Sequence, residues 1–213
     1  MALREAWLEL AATARRMTAD GLVVGTSGNV SARFGDDRVL VTPSGVPYEE
    51  LDQVDPVAVN LEGHQVNGKL KPTSELPLHL SIYASTPARA VVHTHAVHAT
   101  AVSTLVDELP PIHYMTAALG GVVRVAPYAL YGTEELAQGM RAALKDRSGC
   151  LLRNHGTIVY GDTLAAAYDR TAQLEWMCQV WLTARSAGAG EPSLLSEAQL
   201  AEVGEKLKGY GQR

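Results

Sequence analysis

Cysteine is nearly absent from this chain. The two that occur, Cys150 and Cys178, lie far apart and form no Cys-x-x-Cys pair. A disulfide framework is therefore excluded as the source of stability, and a reducing compartment is expected. Lysine is scarce too. Lys69, Lys71, Lys145, Lys206 and Lys208 fall near turns or on expected helices, where the desolvated amine of a Schiff-base enzyme is not expected. There is no basic excess: 18 Lys and Arg face 23 Asp and Glu, a formal net charge of −5. That balance argues against a nucleic-acid or anionic-membrane binder, although a small amide-lined anion pocket needs no such excess. Long apolar runs are also missing. The longest uncharged stretch, residues 90–106, contains three histidines and falls short of the ~20 apolar residues of a membrane helix. Arg4, Glu5 and Glu9 interrupt the N-terminal stretch where a secretory segment would be apolar. A cytoplasmic protein with no membrane or nucleic-acid partner is expected.

What is present is ordinary globular material. Apolar residues make up 46% of the 213 and charged residues 19%. A chain of this length buries roughly 70% of its unfolded surface, enough for a core without staples. No repeat, low-complexity tract or linker divides it, so residues 1–213 are expected to form a single domain.

The periodicity predicts an α/β fold. Leu3, Trp7, Leu10, Ala14 and Met17 recur at helical spacing, and Gly21 ends that helix. Turn-rich residues 25–28 lead into one strand, RVLV forms a second, and residues 57–68 read as a hairpin turning at Glu62-Gly63. A helix is expected after Pro72, with Thr73 or Ser74 as its cap. Residues 88–97 read as a buried strand, 97–106 and 114–119 as short helices, and 122–128 as a strand. Thr133 caps a helix, residues 149–161 form two strands broken at Asn154-His155-Gly156, and a long helix spans about 163–186. That last helix has more than one apolar face, Trp176 included, and a final helix follows.

Chemistry concentrates in a few places. His93 and His95 lie two apart in an expected strand, so their imidazoles share a face and can clamp a metal. Two half-exposed histidines at a strand end fit the same pattern. His155 sits at a strand break beside Gly156 and is a candidate third ligand. Three protein ligands with an open position is the pattern of a catalytic zinc. Glu75 stands at a helix start, where acids commonly face the helix dipole. Beside a metal it becomes a candidate base or fourth ligand. Three segments, residues 25–29, 42–45 and 72–74, combine glycine and hydroxyl residues. Each alone is an ordinary turn, but together they can cradle a phosphate. Tyr114 can pack or donate a proton. His64, His79 and His98 fit no constellation.

The stretches GTSGNVSARF, LVTPSGVPYEEL, GKLKPTSELPLH, VVHTHAVHATAVS, PPIHYMTAALGG, APYALYGTEEL and NHGTIVYG resemble, in order, those of the zinc-dependent class II aldolase family. The resemblance runs through nearly the whole chain. It implies a mostly antiparallel central sheet flanked by helices. It implies one Zn2+ per subunit on His93, His95 and His155, with Glu75 as resting ligand and catalytic base. Substrate phosphate would fall to Gly28, Asn29, Ser44, Gly45, Thr73 and Ser74. Thr73 stands where serine is commoner and Ser44 where threonine is, and both keep the hydroxyl. Tyr114 would reach a neighbouring subunit's site as an acid, and Tyr210 would help close the site on a mobile tail. A homotetramer is implied. The implied reaction is reversible cleavage of a ketose 1-phosphate, L-fuculose 1-phosphate foremost, to dihydroxyacetone phosphate and L-lactaldehyde. Rhamnulose, 5-deoxyribulose and methylthioribulose 1-phosphates are alternative substrates. The family also holds an epimerase, a dehydratase and non-catalytic adducin-like domains. The histidine triad argues against the last, and the lack of an acid in PPIHYMTAALGG argues against the epimerase.

Overall fold

The computed structural model describes residues 2–209. Its elements run α1 (Leu3–Ala19), β1 (Asn29–Phe34), β2 (Arg38–Val41), a 3-10 turn (Tyr48–Gln53), β3 (Ala58–Asn60), β4 (Gln65–Asn67) and α2 (Leu76–Ser85). They continue as β5 (Ala90–Thr94), α3 (Val97–Leu105), β6 (Glu108–Leu109), a second 3-10 turn (Tyr114–Leu119) and β7 (Val123–Ala126). The chain then forms α4 (Glu134–Ala143), β8 (Gly149–Leu152), β9 (Gly156–Gly161), α5 (Leu164–Ser186) and α6 (Glu197–Leu207).

The nine strands make one sheet in the order β4-β3-β2-β1-β5-β9-β8-β7-β6. Only β7 and β8 run parallel, with α4 crossing between them; every other pair is antiparallel. Side chains of β5 alternate between two buried layers. Ala90 and Val92 face a core built with α1, α3 and α5. Val91 faces a second core built with α2 and α4. A strand covered on both faces reads as a continuous apolar run, which is why AVV shows no alternation. The expected α/β class with a mostly antiparallel sheet is the fold observed. None of the described helices is long and apolar enough to cross a membrane.

Three local expectations change. Strand β5 stops at Thr94, so His95 lies just past its end rather than within it. The cap of α2 is Glu75, not Thr73 or Ser74, and its carboxylate makes no capping bond. Thr73 Oγ1 instead accepts from the Glu75 N–H at 3.3 Å, leaving the Glu75 side chain to turn elsewhere. Trp176 is 44% exposed although it lies on α5 among core residues. At the 154–156 break it is Asn154, at φ 56°, that takes the left-handed backbone.

Gly156 is needed for space rather than for φ. A Cβ there would lie 1.9 Å from the Thr94 carbonyl oxygen, where β9 crosses close to the end of β5. Gly156→Ala must therefore force the two strands apart. The expected loss is about 2 kcal/mol, the usual scale for overpacking, read as a lower denaturant midpoint. Unchanged stability would show that this contact is soft.

Candidate metal centre and anion cradle

The register of the sheet sets the site. His93 on β5 lies opposite Asn29 on β1 and opposite Ile158 on β9. β5 is the middle strand, so His93 is fully buried. His95 leaves the strand end, His155 comes from the β8–β9 turn, and Glu75 comes down from the start of α2. The three imidazoles stand nearly perpendicular to one another. Their centroids are 4.9, 4.8 and 4.8 Å apart at interplanar angles of 74°, 79° and 80°.

His93 Nε2 lies 3.0 Å from Glu75 Oε2 and 3.0 Å from His95 Nε2. On the far side of the ring, Nδ1 lies 2.7 Å from the Thr157 carbonyl oxygen. A carbonyl only accepts, so the ring proton belongs on Nδ1 and donates to it. Nε2 then presents a lone pair to two other lone-pair groups. Glu75 Oε1 is buried without a hydrogen bond, although His155 Nε2 is 3.2 Å away. Four donor atoms thus converge within 4.8 Å of one another with too few protons among them. A divalent cation satisfies all four, and the carbonyl behind His93 is the kind of partner that orients a ligating imidazole. Three imidazoles and a carboxylate suit a borderline metal. This Glu75–His93–His95–His155 cluster is a candidate metal centre.

Burial alone would raise the Glu75 pKa. The neighbouring imidazoles of His93 and His155 outweigh that and hold the carboxyl well below the usual carboxylate range. His95 is pushed down to about 4, first by burial and then by its two histidine neighbours. It is neutral at physiological pH and so offers a lone pair.

Beside the cluster opens a cleft of about 410 Å³, in the usual range for small-molecule sites. The three turn segments meet there. An isolated bridge between Pro43 and Pro72 joins two of them, with Ser44 N donating to Lys71 O and Thr73 N to Thr42 O, each at 3.0 Å. Gly28, Ser44, Gly45, Thr73 and Ser74 all line the cleft. Gly28 has φ +81°, and a Cβ there would lie 2.8 Å from the His93 carbonyl oxygen, so no side chain fits. Asn29 also lines the cleft, but both ends of its amide are engaged: Nδ2 donates to Glu75 Oε2 at 2.9 Å and Oδ1 faces His79 Nε2.

Tyr114 is not brought to this cleft. It is 49% exposed and stacks on His113, which packs edge-on against Trp176, in a separate groove formed with α5 and α6. Tyr210 lies outside the described residues. His98 binds Glu175 through Nδ1 at 2.7 Å, and His64 is exposed in the β3–β4 turn. The sequence reading missed Tyr128 and Tyr131, which stand exposed at the cleft wall. It also missed His79, buried behind Asn29. The signal for His79 was there: Glu75, His79 and Tyr83 are spaced by four, one stripe of a helix.

The family model for the Class II Aldolase and Adducin N-terminal domain matches residues 8–182. An L-fuculose phosphate aldolase of Escherichia coli strain K12 is 44% identical over 203 residues, covering 94% of this chain and 93% of that protein. A 5-deoxy-D-ribulose 1-phosphate aldolase of Bacillus thuringiensis serovar kurstaki is 36% identical over 216 residues and covers both chains fully, at 100% each. A solved L-fuculose 1-phosphate aldolase superposes with a TM-score of 0.91 at 32% identity, covering 96% of each chain.

The buried His79 has a pH signature. Burial, reinforced by the neighbouring His93, pushes its pKa from 6.5 down to about 3. The unfolded chain then takes up the proton more readily than the folded one. Stability from this group is complete above about pH 6.5 and is lost as pH falls toward about 3. The melting temperature of metal-free protein should drop across that window, and His79→Gln should flatten the drop. Identical pH profiles for the two proteins would remove His79 as the cause.

Proposed function

This chain belongs to the class II aldolase and adducin family and is an aldolase of it; on that premise we propose that it cleaves a ketose 1-phosphate to dihydroxyacetone phosphate and an aldehyde. The observation that carries the reading is the pairing of a Glu/His cluster with a hydroxyl- and amide-lined cradle in one cleft. One end suits a metal and the other a phosphate, a few ångströms of sugar apart. L-Fuculose 1-phosphate, yielding L-lactaldehyde, is the first substrate on the strength of the 44% identity. 5-Deoxyribulose 1-phosphate is the second, on the strength of the relative matched over its full length.

In this reading residues 28–29, 44–45 and 73–74 hold the phosphate through main-chain N–H groups and hydroxyls, without lysine. A zinc ion on His93, His95, His155 and Glu75 would supply the Lewis acid that stabilises enediolate charge. The carbon–carbon bond breaks as the hydroxyl on the aldehyde side loses its proton. The electron pair remains on the dihydroxyacetone half as an enediolate. In condensation the ionised Glu75 removes a proton from the reacting carbon; cleavage runs the same steps in reverse, with Glu75 taking a proton from solvent to deliver to carbon and Tyr114 releasing its own to solvent before it accepts the hydroxyl proton. Tyr114, from a neighbouring subunit of a cytoplasmic homotetramer, gives the aldehyde oxygen its proton in condensation and takes it back in cleavage. The exposure of Tyr114, far from its own cleft, supports a role across a subunit boundary.

Three experiments test this. A panel of ketose 1-phosphates with detection of dihydroxyacetone phosphate should show fuculose 1-phosphate cleaved fastest, and the rate should vanish on chelation. Glu75→Gln should cost at least ~10²-fold, the scale of a positioned general base. If that variant exchanges the carbon-bound proton of dihydroxyacetone phosphate with solvent deuterium at the wild-type rate, Glu75 is not the base. For the subunit boundary, inactive His95→Ala and inactive Tyr114→Phe subunits are dissociated and reassembled together. Activity should return in the mixed oligomers, and its failure to return would confine Tyr114 to its own subunit or to no catalytic role.

A further inference from the structure

Behind Glu75 runs a buried chain of polar side chains that neither the metal nor the phosphate uses. Asn29 Nδ2 reaches Glu75 Oε2 at 2.9 Å, and Asn29 Oδ1 reaches His79 Nε2 at 2.5 Å. His79 Nδ1 lies 2.6 Å from Ser31 Oγ, which lies 2.8 Å from Tyr83 OH. His79 and Ser31 are fully buried and Tyr83 is 3% exposed. The spacing explains the alignment. Asn29 and Ser31 are two apart on β1 and share a face, while His79 and Tyr83 are four apart on α2 and share a stripe.

The direction of each bond follows from the first. Glu75 is ionised and can only accept, so the Asn29 amide must turn its N–H toward it. Asn29 Oδ1 then faces His79 and can only accept, so the His79 proton sits on Nε2. Burial keeps the ring neutral, with the pKa lowered to about 3, so Nδ1 is a bare acceptor. Ser31 must donate to Nδ1, and its oxygen is left to accept from Tyr83. Each side chain donates toward Glu75 and accepts from behind, so no member can turn over without leaving a buried group unpaired.

We propose that Tyr83, Ser31, His79 and Asn29 form a one-way hydrogen-bonded strut that fixes Glu75 Oε2 and leaves Oε1 to carry the catalytic proton. The Asn29 side chain therefore serves the base, and its share in the phosphate cradle is main-chain. His79 is a positioning residue, and its role rests on the reading of Glu75 as the base. The unpartnered state of Oε1 is the counterpart of the engaged Oε2.

The first test needs neither metal nor turnover. In metal-free wild-type protein, nitrogen NMR of the His79 ring should show the neutral Nε2–H form from about pH 5 to 8. The Nδ1–H form or a charged ring overturns the strut. The second test reads the reaction. His79→Phe removes the donor and should lower kcat about 10- to 100-fold, the range for partners behind a metal site, with KM and inhibition by inorganic phosphate near wild type. His79→Gln places an N–H where Nε2 was and should recover most of kcat. A folded His79→Phe protein with wild-type kcat, or a loss confined to KM, overturns the proposal; so does failure of the glutamine to rescue. If the phenylalanine variant does not fold, the wild-type tautomer and the glutamine variant decide. A neutral Glu75→Gln result would defeat the assignment of the base while leaving the NMR result to stand or fall separately.

Discussion

The carboxylate of Glu75 is held almost out of water at the middle of a nine-stranded sheet, and the polar groups around it follow from that burden. An isolated buried carboxylate is costly, by an amount that would unfold a domain of ordinary stability. Here the charge is divided. Oε2 receives the Asn29 amide and faces His93, while Oε1 faces His155. The imidazoles in turn bring lone pairs that need a cation among them. Charge and candidate ligand set are thus one arrangement, and removing any member exposes the desolvation cost of the others.

The architecture supplies rigidity where that arrangement needs it. β5 is paired on both sides, so the Cα of His93 is fixed by two ladders. The neighbouring ligands come from less constrained places: a strand end, a tight turn and a helix cap. The close approach of Gly156 to Thr94 is what lets the His155 turn fold over the end of β5. Ligands drawn from four elements hold their geometry only if those elements pack as one body. The two cores above and below the sheet do this.

The acidic net charge of the chain and its expected affinity for a phosphate are compatible for a related reason. The cradle is built from main-chain amides, hydroxyls and the start of α2, none of which registers in a count of Lys and Arg. A cleft of this kind selects a phosphate by geometry and leaves the remaining surface free to be acidic.

Much of the fold was legible in the residues. Apolar periodicity located the helices, turn chemistry placed the hairpin at Glu62-Gly63, and the caps at Thr133 and Thr163 follow the usual preference for hydroxyls. The metal candidates were legible because histidines two apart on a strand share a face and a third stood at a strand break. What the sequence could not determine was who faces whom. His79 fitted no constellation because its meaning depends on how α2 packs over β1, a contact between residues some fifty apart in the chain. The same distance hid the commitment of Asn29, whose neighbours in sequence suggested a phosphate and whose neighbours in space are Glu75 and His79. Trp176 looked like core and ended up exposed, since helical periodicity tells which residues share a face but not whether that face is covered. Sequence by itself determined the elements, the ligand types and the turn chemistry, which depend on local propensity and spacing. Only the tertiary structure decided the direction of each buried hydrogen bond, because a donor's partner is set by packing across the sheet.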